Sequence, residues 1–397
     1  MAETALKGVR VLDLSEDIAG PYCTRLLGSY GAEVIKVERP GVGDESRRAG
    51  PFPNDIPHQE RSALFLHLNC NKIGITLNLD NAVGRKVLKD LAKTADILVE
   101  SFKPGQMAAW GLDYETLEKI NPRLIMTSVT PFGQSGPYRD YKSSSVVLDA
   151  LGGHMQVQGN PAREPLRSYE GVVGYCSAVF TAIATMGALT YCADTGQGQH
   201  IDQAVFDWLP GLDYLRTGQW THSGTVRERS ERYLGGWPGR VYRCRDGYVG
   251  LAVSGGSMVT MYSMMDVPEL LDPKYETPEQ RKELADELDA LIQPWLMQHD
   301  RFEIFHALQE LRTTSAVCCS VEDLLQNPQY EARGFWQEVE HPEAGRLKYT
   351  GPWALFSETE WRTTRPPLLG EHNELIYGKE LGYSPEELTR LLQNGVI

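Results

Sequence analysis

Short apolar runs alternate with amphipathic stretches over the first 130 residues. Val9-Arg-Val-Leu-Asp-Leu14 is β-branched and apolar, and Gly20-Pro21 opens a helical stretch with proline at a tolerated first-turn position. Val34-Ile-Lys-Val37 reads as the next strand. Ile73, Ile75, Leu77 and Leu79 recur with period two, after which Asp80 is placed to cap a helix whose Val83, Val87, Leu88 and Leu91 share one face. Ile97-Leu-Val99 predicts another strand, and a helix around Leu117 leads into Leu124-Ile-Met126. Repeated β-α-β units with short links predict an α/β fold built on a doubly wound parallel sheet. No G-x-G-x-x-G follows any of these strands, so a nicotinamide-binding reading loses its main support.

Beyond residue 200 the pattern changes. The run from Arg240 to Val253 predicts two strands about an Asp246-Gly247 turn, and charged helices follow from Thr277 to Arg312. This predicts three parts: a large domain begun by residues 1–224, a smaller α+β domain over 225–325, and a return to the large domain over 326–397. Near the end, Ser384 and Glu387 have capping-box spacing with Pro385 at the first helical position. Leu388, Leu391 and Leu392 would form that helix's buried stripe, and Gly395 follows it.

Composition narrows the function. The 397 residues are 41% hydrophobic and carry a formal charge of −14, which disfavours nucleic acid and anionic membrane as partners because both present phosphate. An anionic ligand would need a local basic pocket. The N-terminus has no apolar leader region, and no stretch is read as reaching the ~18 apolar residues of a membrane span, so a cytoplasmic location is expected. Seven scattered cysteines without C-x-x-C spacing predict buried reduced thiols rather than disulfides or a zinc site. No histidine pair has metal spacing, and no G-x-S-x-G elbow is present.

Several blocks then occur in one order: Gly8-Val-Arg-Val-Leu-Asp-Leu14, Ala19-Gly-Pro21, Gly31-Ala-Glu-Val-Ile-Lys-Val-Glu-Arg-Pro-Gly41, Asn71-Lys72, Ala95-Asp-Ile-Leu-Val-Glu-Ser-Phe-Lys-Pro-Gly105, Asn121-Pro-Arg-Leu-Ile125, Gly133-Gln-Ser-Gly-Pro-Tyr138, Thr195-Gly-Gln-Gly-Gln199 and Leu369-Gly-Glu-His372. Together, from about residue 7 to the end, they resemble the class III CoA-transferases, the formyl-CoA transferase and carnitine CoA-transferase family. The resemblance implies a Rossmann-like large domain made from both chain ends, a small domain, and two interlocked subunits. It also implies acyl-CoA and carboxylic acids as substrates, with no tightly bound cofactor.

In that family an aspartate attacks the acyl-CoA thioester, forming a mixed anhydride that the released CoA thiolate converts to an enzyme-bound thioester. The aspartate lies 21 residues before the threonine of the T-G-x-G-Q loop, a spacing that lands on Gly174 here. Neither Val173 nor Tyr175 can substitute. Racemase relatives add a histidine where this chain has Ser143-Ser-Ser145, so racemisation is disfavoured as well. Glu170, four residues upstream, and Asp149, after the serine run, are carboxylates that a loop shift would have to bring to a thioester. Each reads more simply as a solvated or capping group.

The expected CoA contacts are Arg39, Lys72 and Lys142 for nucleotide and phosphates, with Phe102 near the pantetheine or adenine. Arg47 and Arg48 would add to a basic rim. His154 reads as a structural histidine, and Ser254-Gly-Gly-Ser257 as a turn or a flexible lid. Two functions follow. One is the non-nucleophilic subunit of a heteromeric CoA-transferase, working with a paralogue that keeps the aspartate and moving CoA from a donor such as succinyl-CoA to a dicarboxylic, possibly aromatic, acid. The other is a self-sufficient homodimeric acyl-CoA enzyme that uses another group, such as Glu170.

Overall fold

A computed structural model describes residues 4–169, 171–212, 214–229, 237–253 and 257–397. The chain divides into two compact units. The first contains residues up to 158, 166–227 and 331–397; the second contains 159–165 and 228–330.

The first unit is built on six parallel strands: β1 (Arg10–Asp13), β2 (Glu33–Glu38), β3 (Lys72–Thr76), β4 (Ile97–Glu100), β5 (Ile125–Thr130) and β6 (His200–Ala204). They lie in the order β3-β2-β1-β4-β5-β6. β1 and β4 are therefore adjacent where the chain reverses its direction of travel across the sheet. Helices α1 (Ala19–Ser29), α2 (Ala82–Ala92), α3 (Ser145–Leu151) and α4 (Val172–Thr195) belong to the same unit. One core layer joins the sheet to α2 through Leu12, Ile35, Ile75, Leu98, Val87, Leu88 and Leu91. A second carries Val11, Val34, Ile97 and Ile125 against Leu27 of α1 and Val173, Ala188 and Cys192 of α4. Burial of both sheet faces explains why these strands read as continuous apolar runs.

The local readings of the N-terminal half hold with three corrections. The cap of α2 is Asn81, whose Oδ1 accepts from Val83 N at 2.8 Å, and not Asp80. Val83 is exposed, and Gly84 takes its place on the buried face because its missing side chain lets α2 approach Asn78 closely. Lastly, α4 has the length and mean hydropathy (1.7) of a membrane-crossing helix, although no such stretch was expected. Its buried positions include the small or polar residues Ser177, Ala178, Thr181, Thr185 and Ala188. Thr127 of β5 and Thr185 of α4 share a hydrogen bond at 3.1 Å, which is the packing of a core helix on a sheet.

The C-terminal return supplies the antiparallel pair β10 (Trp336–His341) and β11 (Gly345–Thr350) and the closing helix α7 (Pro385–Gln393). Ser384 and Glu387 form the expected capping box. Leu388 and Leu391 pack on the core, while Leu392 stays exposed.

In the second unit β7 (Arg240–Arg243) and β8 (Tyr248–Leu251) form the expected hairpin, and β9 (Ser315–Val317) pairs antiparallel with β8. Helices α5 (Ala285–Leu296) and α6 (Arg301–Glu310) bury Leu288, Ile292, Leu296, Ile304 and Leu308 in its core. Of the proposed glycine lid, Ser254, Gly255 and Gly256 lie outside the described residues.

Candidate functional site

The loops after β1 and β4 are tied together: Glu16 N donates to Ser101 Oγ at 2.8 Å. Phe102 is oriented by its own strand end, since its N–H donates to the Glu100 carboxylate at 2.7 Å, and its ring meets Trp110 edge-on at 5.0 Å. Arg39, just past β2, and Phe102 line one crevice with Leu14, Glu16 and Leu77. Arg39 is exposed and Phe102 half-buried. A guanidinium and an aromatic ring at the carboxyl ends of parallel strands, on the sheet's switch point, suit a nucleotide and its phosphates.

Lys72 is not at this crevice. Its side chain is fully buried, and its ammonium donates to Asp13 Oδ2, Asn69 Oδ1 and Pro21 O, each at 2.8 Å. Those three bonds use all its donors, so none remains for a phosphate. Burial is the main influence pulling Lys72 down to about 8, against the opposing charge of Asp13. Burial alone would raise Asp13, but Lys36 and Lys72 hold it far below the ordinary carboxylate range. Lys36 in turn pairs with Asp44 at 2.6 Å and donates to Ser15 O. This buried cluster fixes the end of β1. Arg47 is likewise no rim charge: it is buried against both oxygens of Glu38 and against Glu60, with its guanidinium 3.6 Å from the Phe65 ring centre. Lys142 is exposed beside Ser143.

A second concavity, of about 290 Å³, lies next to the crevice and shares Glu16 with it. Its wall includes Gly174, in the first turn of α4, together with Glu16, Asp17, Glu45, Thr130 and Ser143-Ser-Ser145. The register of α4 is held by its neighbours. Tyr175 meets the Tyr22 ring edge-on at 4.8 Å and His67 at 5.8 Å, and Gly171 enters the helix at φ 92°, a backbone region that favours glycine. Burial, then the charge of Arg25, lowers His67 to about 3, so it is neutral and accepts from Arg25 Nη1 at 3.0 Å.

A side chain at Gly174 would press on Ile18. A Cβ there would lie 2.9 Å from Ile18 Cβ and 3.0 Å from Ile18 Cγ2. Ile18 thus lies against the first turn of α4 at Gly174.

The other candidates separate. Asp149 is buried, accepts from Ser168 N at 2.8 Å and Ser168 Oγ at 3.1 Å, and lies 3.6 Å from His154 Nδ1. His154 Nε2 bonds Leu209 O at 3.0 Å. Both are structural. Glu170 lies outside the described residues. Sequence reasoning missed Glu16, Asp17 and Ile18. The available signal was position alone: Ser15-Glu-Asp-Ile18 directly follows the first strand, where open α/β sheets place their ligand loops. Among the described residues no cluster of metal-ligating side chains occurs.

Comparison with known proteins extends the picture. The profile of CoA-transferase family III matches residues 6–373. The succinyl-CoA:D-citramalate CoA-transferase of Chloroflexus aurantiacus is 32% identical over 99% of this chain and 98% of its own. The human succinyl-CoA:glutarate CoA-transferase is 30% identical, covering 99% and 90%. A crystal structure of a CaiB/BaiF family protein from Brucella suis superposes with a TM-score of 0.86 at 30% identity, over 95% of this chain and 99% of that one.

Proposed function

Because this chain belongs to CoA-transferase family III, whose members carry CoA between acyl-CoA and carboxylic acids, we propose that it is the non-nucleophilic subunit of a heteromeric CoA-transferase. Its partner is a paralogue that keeps the aspartate. The donor is an acyl-CoA such as succinyl-CoA and the acceptor a dicarboxylic acid, with benzylsuccinate, an aromatic one, as the specific assignment. The observation that carries this reading is the pairing of Gly174 with Ile18, since the helix start lacks the carboxylate and a neighbouring side chain occupies the space its Cβ would need.

Two further features support it. Arg39 and Phe102 share a crevice at the switch point, and Glu16 joins that crevice to the cavity beside Gly174. A long acyl-CoA would lie with its nucleotide on the first and its acyl end toward the second, and Lys142 stands on an exposed loop beside the second. Lys72 contributes by holding Asp13 and the end of β1 rather than by touching CoA. The surface also supports a partner: Val179, Ile183 and Met186 of α4, Leu26 and Tyr30 of α1, and Trp353 with Phe356 line an apolar groove of about 610 Å³. Exposed apolar area of this kind marks an interaction surface.

The test is reconstitution. The chain alone is expected to transfer no CoA from succinyl-CoA, and the complex with the aspartate-bearing paralogue to be active. Trapping with hydroxylamine or borohydride during turnover should label only the partner. A label on Glu170 of this chain, or normal turnover by this chain alone, would overturn the proposal.

A further inference from the structure

The crevice at the switch point carries little positive charge for the ligand it suits. Coenzyme A has a pyrophosphate and a 3′-phosphate, yet Arg39 is the one cation among the crevice's described lining residues, and Glu16 and Asp80 line it too. The buried cations nearby are already engaged: Lys36 by Asp44, Arg47 by Glu38 and Glu60, and Lys72 by Asp13. A nucleotide with several phosphate charges therefore needs a further cation from a neighbouring element.

Arg139 stands where such a cation is needed. It directly follows the block Gly133-Gln-Ser-Gly-Pro-Tyr138 on the loop after β5, the neighbour of β4 in the sheet. That loop is pinned. Gln134 N donates to the Asp202 carboxylate of β6 at 2.9 Å, Phe132 meets Tyr138 edge-on at 5.8 Å, and Tyr138 stacks on Tyr141 at 5.0 Å. From there the guanidinium reaches the loop after β4 and lies against Gly105, where a Cβ would be 3.1 Å from Arg139 Nη2. Gly105 is held at φ 85°, a region that favours glycine, and its missing side chain is what admits the guanidinium. Phe102 precedes Gly105 on this loop and Trp110 follows it, and both rings line the crevice. Arg39, past β2, and Arg139, past β5, therefore flank the Phe102 loop from opposite sides of a sheet ordered β2-β1-β4-β5.

The Arg139 guanidinium is held in place but not engaged. Its one ion-pair partner among the described residues is Asp140, its exposed neighbour in the chain, 3.9 Å from Nε, and Nε itself makes no hydrogen bond. An exposed pair at that separation contributes little. Lys103 and Lys142 lie on the same two loops, but both are exposed, and an ammonium lacks the planar fork that matches phosphate. We propose that Arg139 is a second phosphate-binding residue of this chain, holding a phosphate of the CoA nucleotide beside the Phe102 loop while Arg39 acts from the other side. The chemistry is bidentate donation from a guanidinium to phosphate oxygens, and the pyrophosphate and the 3′-phosphate are its two sources. The inference rests on the reading that the nucleotide of an acyl-CoA lies in this subunit's crevice.

Calorimetry and thermal shift on the full chain and on its complex test this with two probes, CoA and 3′-dephospho-CoA. Arg139→Gln is expected to weaken CoA about tenfold or more, the loss of charge-assisted hydrogen bonds, while leaving the melting temperature of the ligand-free protein unchanged. It should also flatten the decline of affinity with salt, which a merely structural role would not do. Arg139→Lys, with the charge but not the fork, should recover part of the loss. The second probe separates the two sources: a penalty that vanishes with 3′-dephospho-CoA assigns the 3′-phosphate, and one that persists assigns the pyrophosphate. Unchanged CoA affinity in Arg139→Gln, measured where Arg39→Ala does weaken binding, would overturn the proposal, as would a loss of affinity with an unaltered salt dependence. Absence of CoA binding by the unmodified chain in both forms would instead overturn the reading on which this one rests.

Discussion

Adding a single methyl group at Gly174 tests the geometry of the site directly, because two opposing effects meet there. In the first turn of a helix an exposed Gly→Ala change stabilises by about 0.5–1 kcal/mol, through the lost backbone freedom of the unfolded chain. Here the new Cβ would lie 2.9 Å from Ile18 Cβ and 3.0 Å from Ile18 Cγ2. Carbon pairs rest at about 3.5–4.0 Å, so both contacts are deep in the repulsive range. Overpacking of this degree costs about 1–3 kcal/mol. The clash wins, and Gly174→Ala is expected to destabilise by about 0.5–2 kcal/mol. The informative comparison is the same change with Ile18→Gly already present, because alanine would keep the Cβ that lies nearest. With the obstruction gone only the helix term remains, so Gly174→Ala should then stabilise by up to about 1 kcal/mol. Urea denaturation of the four proteins, wild type, each single variant and the double variant, reads this as a change of sign. If Gly174→Ala stabilised the protein with Ile18 intact, Ile18 would not be filling the space of the missing side chain. For the same reason, Gly174→Asp alone should trap no acyl group from succinyl-CoA.

Three other residues give contrasting predictions. Burial raises Glu100 from 4.5 to about 7, so between those values the folded protein keeps a proton that the unfolded chain has lost. Stability should fall as pH rises through this window, by up to about 3 kcal/mol, and Glu100→Gln should flatten the slope; a slope unchanged in that variant would refute the assignment. Arg39→Ala should leave the melting temperature unchanged while weakening CoA binding and its salt dependence, measured by calorimetry. Lys72→Ala should do the reverse, costing about 3–5 kcal/mol by stranding Asp13 in the core, a loss read from denaturant midpoints.

Much of the architecture was legible because it is written in neighbouring residues. The strands around Val11, Ile35 and Leu98 announced themselves as apolar runs, since a parallel sheet covered on both faces has no polar side to show. The hairpin at Asp246-Gly247 and the capping box of Ser384 with Glu387 follow from local turn and helix-end chemistry, and both formed as read. The order of motifs along the chain pointed to the family, and the resemblance then places its aspartate where this helix start has Gly174. Local pattern was less decisive where two neighbours offered the same chemistry. Asp80 and Asn81 can both cap a helix, and Val83 and Leu392 fit an apolar stripe that the partner surfaces did not cover.

What lay beyond the sequence depended on residues far apart in it. A lysine such as Lys72 reads as a surface charge until Asp13, 59 positions away, is seen holding its ammonium, and Arg47 until Glu38 and Glu60 close around it. Nothing in the local sequence distinguishes a cation that meets solvent from one that meets a buried carboxylate, because that difference is made by burial and burial is a property of the fold. The site shows the same division. The glycine where the family resemblance puts an aspartate was readable, but the side chain packed against it, Ile18, and the acidic wall of Glu16, Asp17 and Glu45 come from the loops after β1 and β2, which meet because those strands lie side by side. Sequence determined which strands and helices form and that glycine stands where the family resemblance puts an aspartate; tertiary structure decided which charges are buried and what surrounds that glycine, since both depend on long-range contacts that only the folded sheet creates.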